Sequence, residues 1–305
     1  MMGRVSIPAG APLLECVPNV SEGRDARVVQ TLADAIRRLT TVRLVNVHAD
    51  PDHHRSVFTI LGPPTAVEAA VLALADAVMA AVDMRGHTGA HPRMGALDVV
   101  PFVPLRGLGM ADAVASARRV GEAIARAYDL PVYLYGAAAS TPARLSQSAV
   151  RAGQYEGLAA KLADPAWRPD YGPARFNPRL GATAVGARDV LVAYNVWLGS
   201  DDLSAARAIA RSVRESSGGL PAVQAMGLLL ERRRLAQVSM NLLDYRRTGL
   251  AKAYDAVCAA AAGLGVAVKR GELVGLAPRA AFEGRVPASV GLSDIGDADY
   301  LETYL

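Results

Sequence analysis

Twice along this chain the hydrophobic pattern runs strand, helix, strand, strand, helix, strand, and that order restricts the fold more than any other feature. In the first half, residues 13–20 read as a strand, and residues 26–39 read as a helix with Val29, Leu32, Ala33 and Ile36 on one side. Residues 42–48 and 56–61 read as strands joined by the polar turn Asp50-Pro51-Asp52. Pro63 and Pro64 open a second helix with Val67, Val71, Leu74 and Val78 on one face, and residues 97–103 are extended again. A helix over 113–128 and a short strand over 132–135 lengthen this unit. Residues 138–189, with Pro165, Pro169, Pro173 and Pro178, read as a loop-rich connection that lines something. The second half repeats the order: a strand over 191–197, then a helix behind Ser200-Asp201-Asp202. A hairpin over 223–230 and 236–242, a helix over 250–261 and a strand over 266–268 complete it. The expectation is an α+β protein of two tandem βαββαβ subdomains, divided at 1–189 and 190–305.

With 51% hydrophobic and 20% charged residues among 305, the chain can bury a core for each half, and disorder is excluded. The longest apolar stretch, 66–79, carries Glu68 and Asp76, which argues against a membrane span. Residues 1–11 lack the apolar core of a secretory leader. Cys16 and Cys258 are far apart and form no CxxC, so neither a disulfide framework nor a cysteine zinc site is expected, and a cytoplasmic location fits. A net charge of +4 with dispersed arginines suits small anions; no basic tail with interleaved aromatics points to nucleic acid.

All five histidines, His48, His53, His54, His87 and His91, lie between positions 48 and 91. Such clustering has two readings, a metal site or an acid–base site. His87 and His91 have i,i+4 spacing, but Gly86, Gly89 and Pro92 break any helix, and Pro92 pushes His91 out of helical geometry. No metal is therefore expected. The run from Gly86 to Gly95 suits proton transfer: it lets backbone approach a ligand closely and is aimed by the strand that follows. Arg93 in the same turn could hold a carboxylate. Gly107-Leu108-Gly109 and Gly263-Leu264-Gly265 lack the third glycine of a dinucleotide loop, and GxSxG is absent.

Several stretches together resemble the glutamate formimidoyltransferases, including the N-terminal half of vertebrate formimidoyltransferase–cyclodeaminases. They are Glu15-Cys16-Val17-Pro18-Asn19-Val20-Ser21-Glu22-Gly23, Arg55-Ser56-Val57-Phe58-Thr59 and His91-Pro92-Arg93-Met94-Gly95-Ala96-Leu97-Asp98-Val99. Others are Pro131-Val132-Tyr133-Leu134-Tyr135-Gly136, Arg151-Ala152-Gly153-Gln154-Tyr155-Glu156-Gly157, Gly181-Ala182-Thr183, Gly186-Ala187-Arg188, Ala236-Gln237-Val238-Ser239-Met240-Asn241 and Leu273-Val274-Gly275-Leu276. The likeness runs in order along nearly the whole chain.

The resemblance implies two ferredoxin-like subdomains and a homodimer. It implies transfer of a formimidoyl group from N-formimidoylglutamate to tetrahydrofolate, as in histidine breakdown, with tetrahydrofolate as co-substrate and His91 as general base. It places the folate-binding segment at Gly172, Pro173, Ala174, Arg175, Phe176, Asn177, Pro178, Arg179, Leu180 and Gly181. Phe176 would stack on the pterin and Arg175 or Arg179 would meet the glutamate tail. His48 and Arg93 are the further substrate-binding candidates. The chain departs from vertebrate members at His48, where they carry an acidic residue, and at Thr88 and Ala90, where they carry Lys and Glu. Those departures keep two rivals open: a folate-binding protein without catalysis, and a one-carbon transferase with another donor such as 5-formyltetrahydrofolate. A histidine-cluster metalloprotein is the third.

Overall fold

The computed structural model describes residues 10–305; the first nine, on which the expectation of no secretory leader partly rested, lie outside them. The chain divides into two compact units with the boundary between Arg188 and Asp189, and both combine sheet with helices. The first unit runs β1 (Leu14–Cys16), β2 (Asn19–Val20), α1 (Ala26–Arg37), β3 (Arg43–Asp50), β4 (Arg55–Gly62), α2 (Pro64–Ala81) and β5 (Leu97–Pro104). It continues with α3 (Met110–Tyr128), β6 (Val132–Gly136), α4 (Gln147–Arg151), α5 (Leu158–Ala163) and β7 (Thr183–Ala187).

The single strand predicted over 13–20 is two short strands on one rail. Pro18 has no amide hydrogen to give the ladder, so pairing lapses there while the register continues from Leu14↔Gly62 to Asn19↔Val57. This rail lies between β4 and β5, with β3 outside β4, and β7 and then β6 parallel beyond β5. Alternation sorts the side chains. Cys16, Val20, Phe58 and Ile60 join the core with Leu32, Val71, Leu74 and Val120 from α1, α2 and α3. Glu15, Val17 and Asn19 point to the other face, beside Leu61, Thr59 and Val57 of β4. Toward β6 that face is covered by Val150 of α4 and Leu158 and Leu162 of α5, packed on Tyr133, Tyr135 and Ala184.

By length and a mean hydropathy of 1.5, α2 would also pass for a membrane span, which the sequence reading set aside on Glu68 and Asp76. In the fold its apolar residues pack in the core, and both carboxylates serve α3: Glu68 accepts from Ser116 and Arg119, and Asp76 from the Tyr128 hydroxyl.

Strand β7 falls inside the stretch read as irregular. Its residues, Thr-Ala-Val-Gly-Ala, are too small to show a strand pattern, and smallness is what the position requires. A Cβ on Gly186 would come within 2.6 Å of both the Tyr135 ring and its carbonyl oxygen.

The second unit runs β8 (Val192–Leu198), α6 (Leu203–Val213), β9 (Val223–Leu230), β10 (Leu235–Leu242), α7 (Leu250–Gly263) and β11 (Val268–Val274), in the sheet order β11–β8–β10–β9. Asp202 caps α6, accepting from the amides of Ser204 and Ala205. Val196, Ile209, Val238 and Val257 share its core. The last strand was expected over 266–268; it starts at Val268 and runs on to Val274, its alternation hidden by Lys269, Arg270, Gly271 and Glu272.

Gly186→Ala should lower the stability by about 1–3 kcal/mol, because the added methyl must displace a packed ring or a paired backbone. Urea unfolding reads this, and an unchanged midpoint would contradict the account of β7.

Candidate functional site

The turn between β3 and β4 sets two of the histidines. The Asp50 carboxylate accepts from the amides of Asp52 and His53, both at 2.8 Å, folding the hairpin so that His54 takes a positive φ of 50°. His54 Nδ1 meets the Thr88 carbonyl at 2.9 Å and Nε2 meets Glu22 at 3.3 Å. Burial opposes ionisation of Glu22, but His54 and the amides of Asp25 and Arg24 outweigh it and hold the carboxyl down to about 2.

His87 stacks on His54 with ring centroids 4.1 Å apart. Its Nε2 donates to the His54 carbonyl at 2.9 Å, so Nδ1 is free to accept from Arg93 Nε at 3.1 Å. Burial, above all, pushes the His87 ring down to about 4. Arg93 also clamps the Glu156 carboxylate through two bonds of 2.6 and 2.8 Å and donates to the His87 carbonyl. The guanidinium expected to meet a carboxylate therefore does so within the protein, bracing the histidine run from α5's leading turn.

His91 is half-buried, and its Nδ1 lies 2.8 Å from the Pro92 carbonyl. A carbonyl only accepts, so Nδ1 carries the proton and Nε2 presents a lone pair. Burial, then Arg55, Arg151 and His53, push its pKa well below the ordinary histidine value. The His53 ring stands 5.6 Å away.

Arg55 and Arg151, which sequence reasoning does not single out as site residues, meet at Asp98 and act electrostatically on His91. Arg55 Nη1 and Arg151 Nη2 each donate to one oxygen of Asp98 at 2.7 Å, and the other oxygen accepts from the Met94 amide at 2.7 Å. Asn19 Oδ1 accepts from Arg55 Nε and Nη2. Asp98 is fully buried; burial would raise its pKa, but Arg151 and Arg55 reverse that and hold it below the usual value. Burial brings Arg55 down to about 10, where it remains charged at neutral pH. Two guanidinium groups thus share one carboxylate, leaving a net positive charge that acts on the His91 ring. Each of these residues stood inside a quoted stretch of resemblance, and that was the available signal.

His48 lies on β3 opposite Val57, on the same face as Asn19 and Arg55. The segment 172–181 is brought to the His91 run by its C-terminal half. Gly95 bridges Gly181, the Ala182 amide donates to the Met94 carbonyl, and the Ala96 amide donates to the Leu180 carbonyl. A Cβ on Gly95 would lie 2.1 Å from the Ala182 carbonyl oxygen, so this junction demands glycine. Asn177 turns the segment, accepting from the amides of Arg179 and Leu180. Pro178 accepts from the Tyr155 hydroxyl, and Phe176 packs on the Tyr155 ring at 5.3 Å. Arg175 pairs with Asp129 at the surface, and Arg179 donates to the Ala80 carbonyl, so neither reaches toward His91 in this state. Gly172 takes a positive φ against Leu130, while Pro173 and Ala174 make no contact with the His91 run among the interactions described. Among the described residues, no group of three or more His, Cys, Asp or Glu side chains could hold a metal ion.

The first unit thus brings together an imidazole with its hydrogen on Nδ1 and two guanidinium groups paired to one buried carboxylate. Residues 13–188 match the family described as formiminotransferase domain, N-terminal subdomain, and residues 193–284 match the formiminotransferase domain. A glutamate formimidoyltransferase of Streptococcus pyogenes serotype M1 is 39% identical, covering 89% of this chain and 91% of that relative. One from Thermoplasma acidophilum is 40% identical, covering 88% and 89%. The formimidoyltransferase-cyclodeaminase of Rattus norvegicus is 43% identical over 87% of this chain and 50% of its own length, so the chain spans about half of that relative. The chain belongs to the formiminotransferase family.

Asp98→Asn should destabilise the first unit by about 3–5 kcal/mol, because it strands the buried Arg55 charge and the half-buried Arg151 charge. A loss below about 1 kcal/mol in urea unfolding, the range of an exposed pair, would show that Asp98 does not hold the cluster together.

Proposed function

We propose that this chain transfers the formimidoyl group of N-formimidoyl-L-glutamate to N5 of tetrahydrofolate, giving 5-formimidoyltetrahydrofolate and glutamate. The observation that carries this reading is the His91 imidazole, with its proton fixed on Nδ1, its Nε2 left with a lone pair, and Arg55 and Arg151 acting electrostatically on the ring. N5 attacks the amidine carbon, and Nε2 takes the N5 proton as the N5–C bond forms. The same proton then goes to the glutamate nitrogen as its bond to that carbon breaks. Such proton transfer contributes about 10²–10⁴-fold, and holding two substrates together supplies much of the remainder. The surplus positive charge of the Arg55–Asp98–Arg151 cluster suits a donor with two carboxylates.

In this reading His91 is the catalytic residue, segment 172–181 lines the folate site, and His48 and Arg93 complete the surroundings, Arg93 by bracing the loop. The junction of Gly181 with Gly95 supports a shared site for folate and His91. The strand orders of the two sheets support two ferredoxin-like subdomains, the first extended by β7 and β6.

His91→Ala should reduce transfer from formimidoylglutamate to tetrahydrofolate by about 10²–10⁴-fold while leaving tetrahydrofolate affinity near wild type. The assay follows 5-formimidoyltetrahydrofolate formation, with folate binding by calorimetry. Near-normal turnover would remove His91 from the role; wild-type protein that binds folate without transferring would favour a binding protein.

A further inference from the structure

One buried ionisable side chain on the site's face has no part in this mechanism. Glu15 of β1 is 6% exposed, and among the described residues nothing donates a hydrogen bond to its carboxyl. It points to the same face as Asn19, which holds Arg55. Its neighbours there are Leu61 and Thr59 on β4 and Val103 on β5, all uncharged; the charge acting on it is the Arg188 guanidinium, which also bonds the Tyr135 hydroxyl. Burial raises the Glu15 carboxyl to about 7 against the pull of Arg188. Thr59 Oγ1 and Asn46 Oδ1, cross-strand partners on this face, are buried and make no hydrogen bond. Unmade hydrogen bonds at buried groups are costly, and two of them on the face of a buried carboxyl mark a place prepared for a ligand.

The floor between Glu15 and the arginine cluster is open. Val17 and Asn19 keep accessible surface, while Cys16, Pro18 and Val20, which alternate with them, are sealed. Four residues of extended chain from Glu15 to Asn19 span about 13 Å. That is about the length of a fused bicyclic ring with a hydrogen bond at each end.

We propose that Glu15 anchors the co-substrate's pterin, its carboxylate accepting two hydrogen bonds from the ring edge that carries adjacent N–H and amino donors. This rests on the transferase reading and adds an orientation to it. The amino edge lies at Glu15 and N5 lies at His91. The tail of tetrahydrofolate leaves from the carbon next to N5, so it departs at the His91 end, where residues 177–181 dock. A carboxylate matches two parallel N–H donors in a way no neutral side chain on this face can.

The test is calorimetric binding of tetrahydrofolate and of its 2-desamino analogue, which lacks one of the two donors, to wild-type protein and to Glu15→Gln. Glu15→Gln should weaken tetrahydrofolate binding by about 10- to 100-fold. Wild type should bind the desamino analogue weakly by a similar factor, and the variant should discriminate far less between the two ligands. Binding favours the ionised carboxyl, so wild-type affinity should fall as pH drops below about 7, and the variant should lose this dependence. Equal wild-type affinity for the two ligands overturns the anchor without reference to any variant, so misfolding of Glu15→Gln cannot shield it. Unchanged discrimination in a folded variant overturns it as well. Wild type that binds no folate overturns the anchor and the transferase reading together; folate binding indifferent to the amino group overturns the anchor alone.

Discussion

The buried carboxylate of Asp98, shared between Arg55 and Arg151, is the interaction on which the rest of the first unit's site depends. It ties β5 to β4 and α4, and through Asn19 it reaches β2. Asp98 also fixes the Met94 amide, three residues beyond His91, so the end of the histidine run is set by the same group. A buried ion pair gains little net stability over an apolar pair, because both charges must leave water. Its retention at this point makes sense as placement: two guanidinium groups are held on one face of the sheet with more positive charge than their partner can neutralise.

That charge acts on its neighbour. An imidazole surrounded by cations and apolar surface resists protonation, and the Pro92 carbonyl fixes which nitrogen keeps its hydrogen. The loop around it is stiffened from the opposite side by Arg93, locked to Glu156 and His87, and by His54 between Glu22 and Thr88. His91 is thus braced between two polar networks, one built on the carboxylate of Asp98 and the other on that of Glu156.

Much of this was legible in the sequence. The strand and helix periods of β3, β4, α1, α2 and both halves of the β9–β10 hairpin stand out because one face of each is apolar. The clustering of the histidines was readable as well, and so was the constrained turn that Pro92 and its glycine neighbours give His91. Strand β7 was hidden, because five small residues packed against a tyrosine ring carry no alternation. The break at Pro18 was hidden too, since the apolar residues continue through it. Arg55, Asp98 and Arg151 lie far apart in the chain, and only the sheet order brings them together. No local pattern in a sequence encodes a contact between β4, β5 and a five-residue helix. Arg93 reads in the sequence as a residue able to hold a carboxylate, but the carboxylate it meets in the structure, Glu156, is equally distant in the chain.

The chemistry at His91 turns on an unprotonated Nε2 at neutral pH. Nitrogen-15 NMR of histidine-labelled protein, titrated from pH 8 downward, measures this directly. A depressed pKa means that the ring stays neutral until the pH falls below the ordinary value of about 6.5. The Nδ1–H tautomer is therefore expected at pH 7, with the ring charging only below pH 6.5. A His91 ring that is charged at pH 7, or that carries its hydrogen on Nε2, would contradict it.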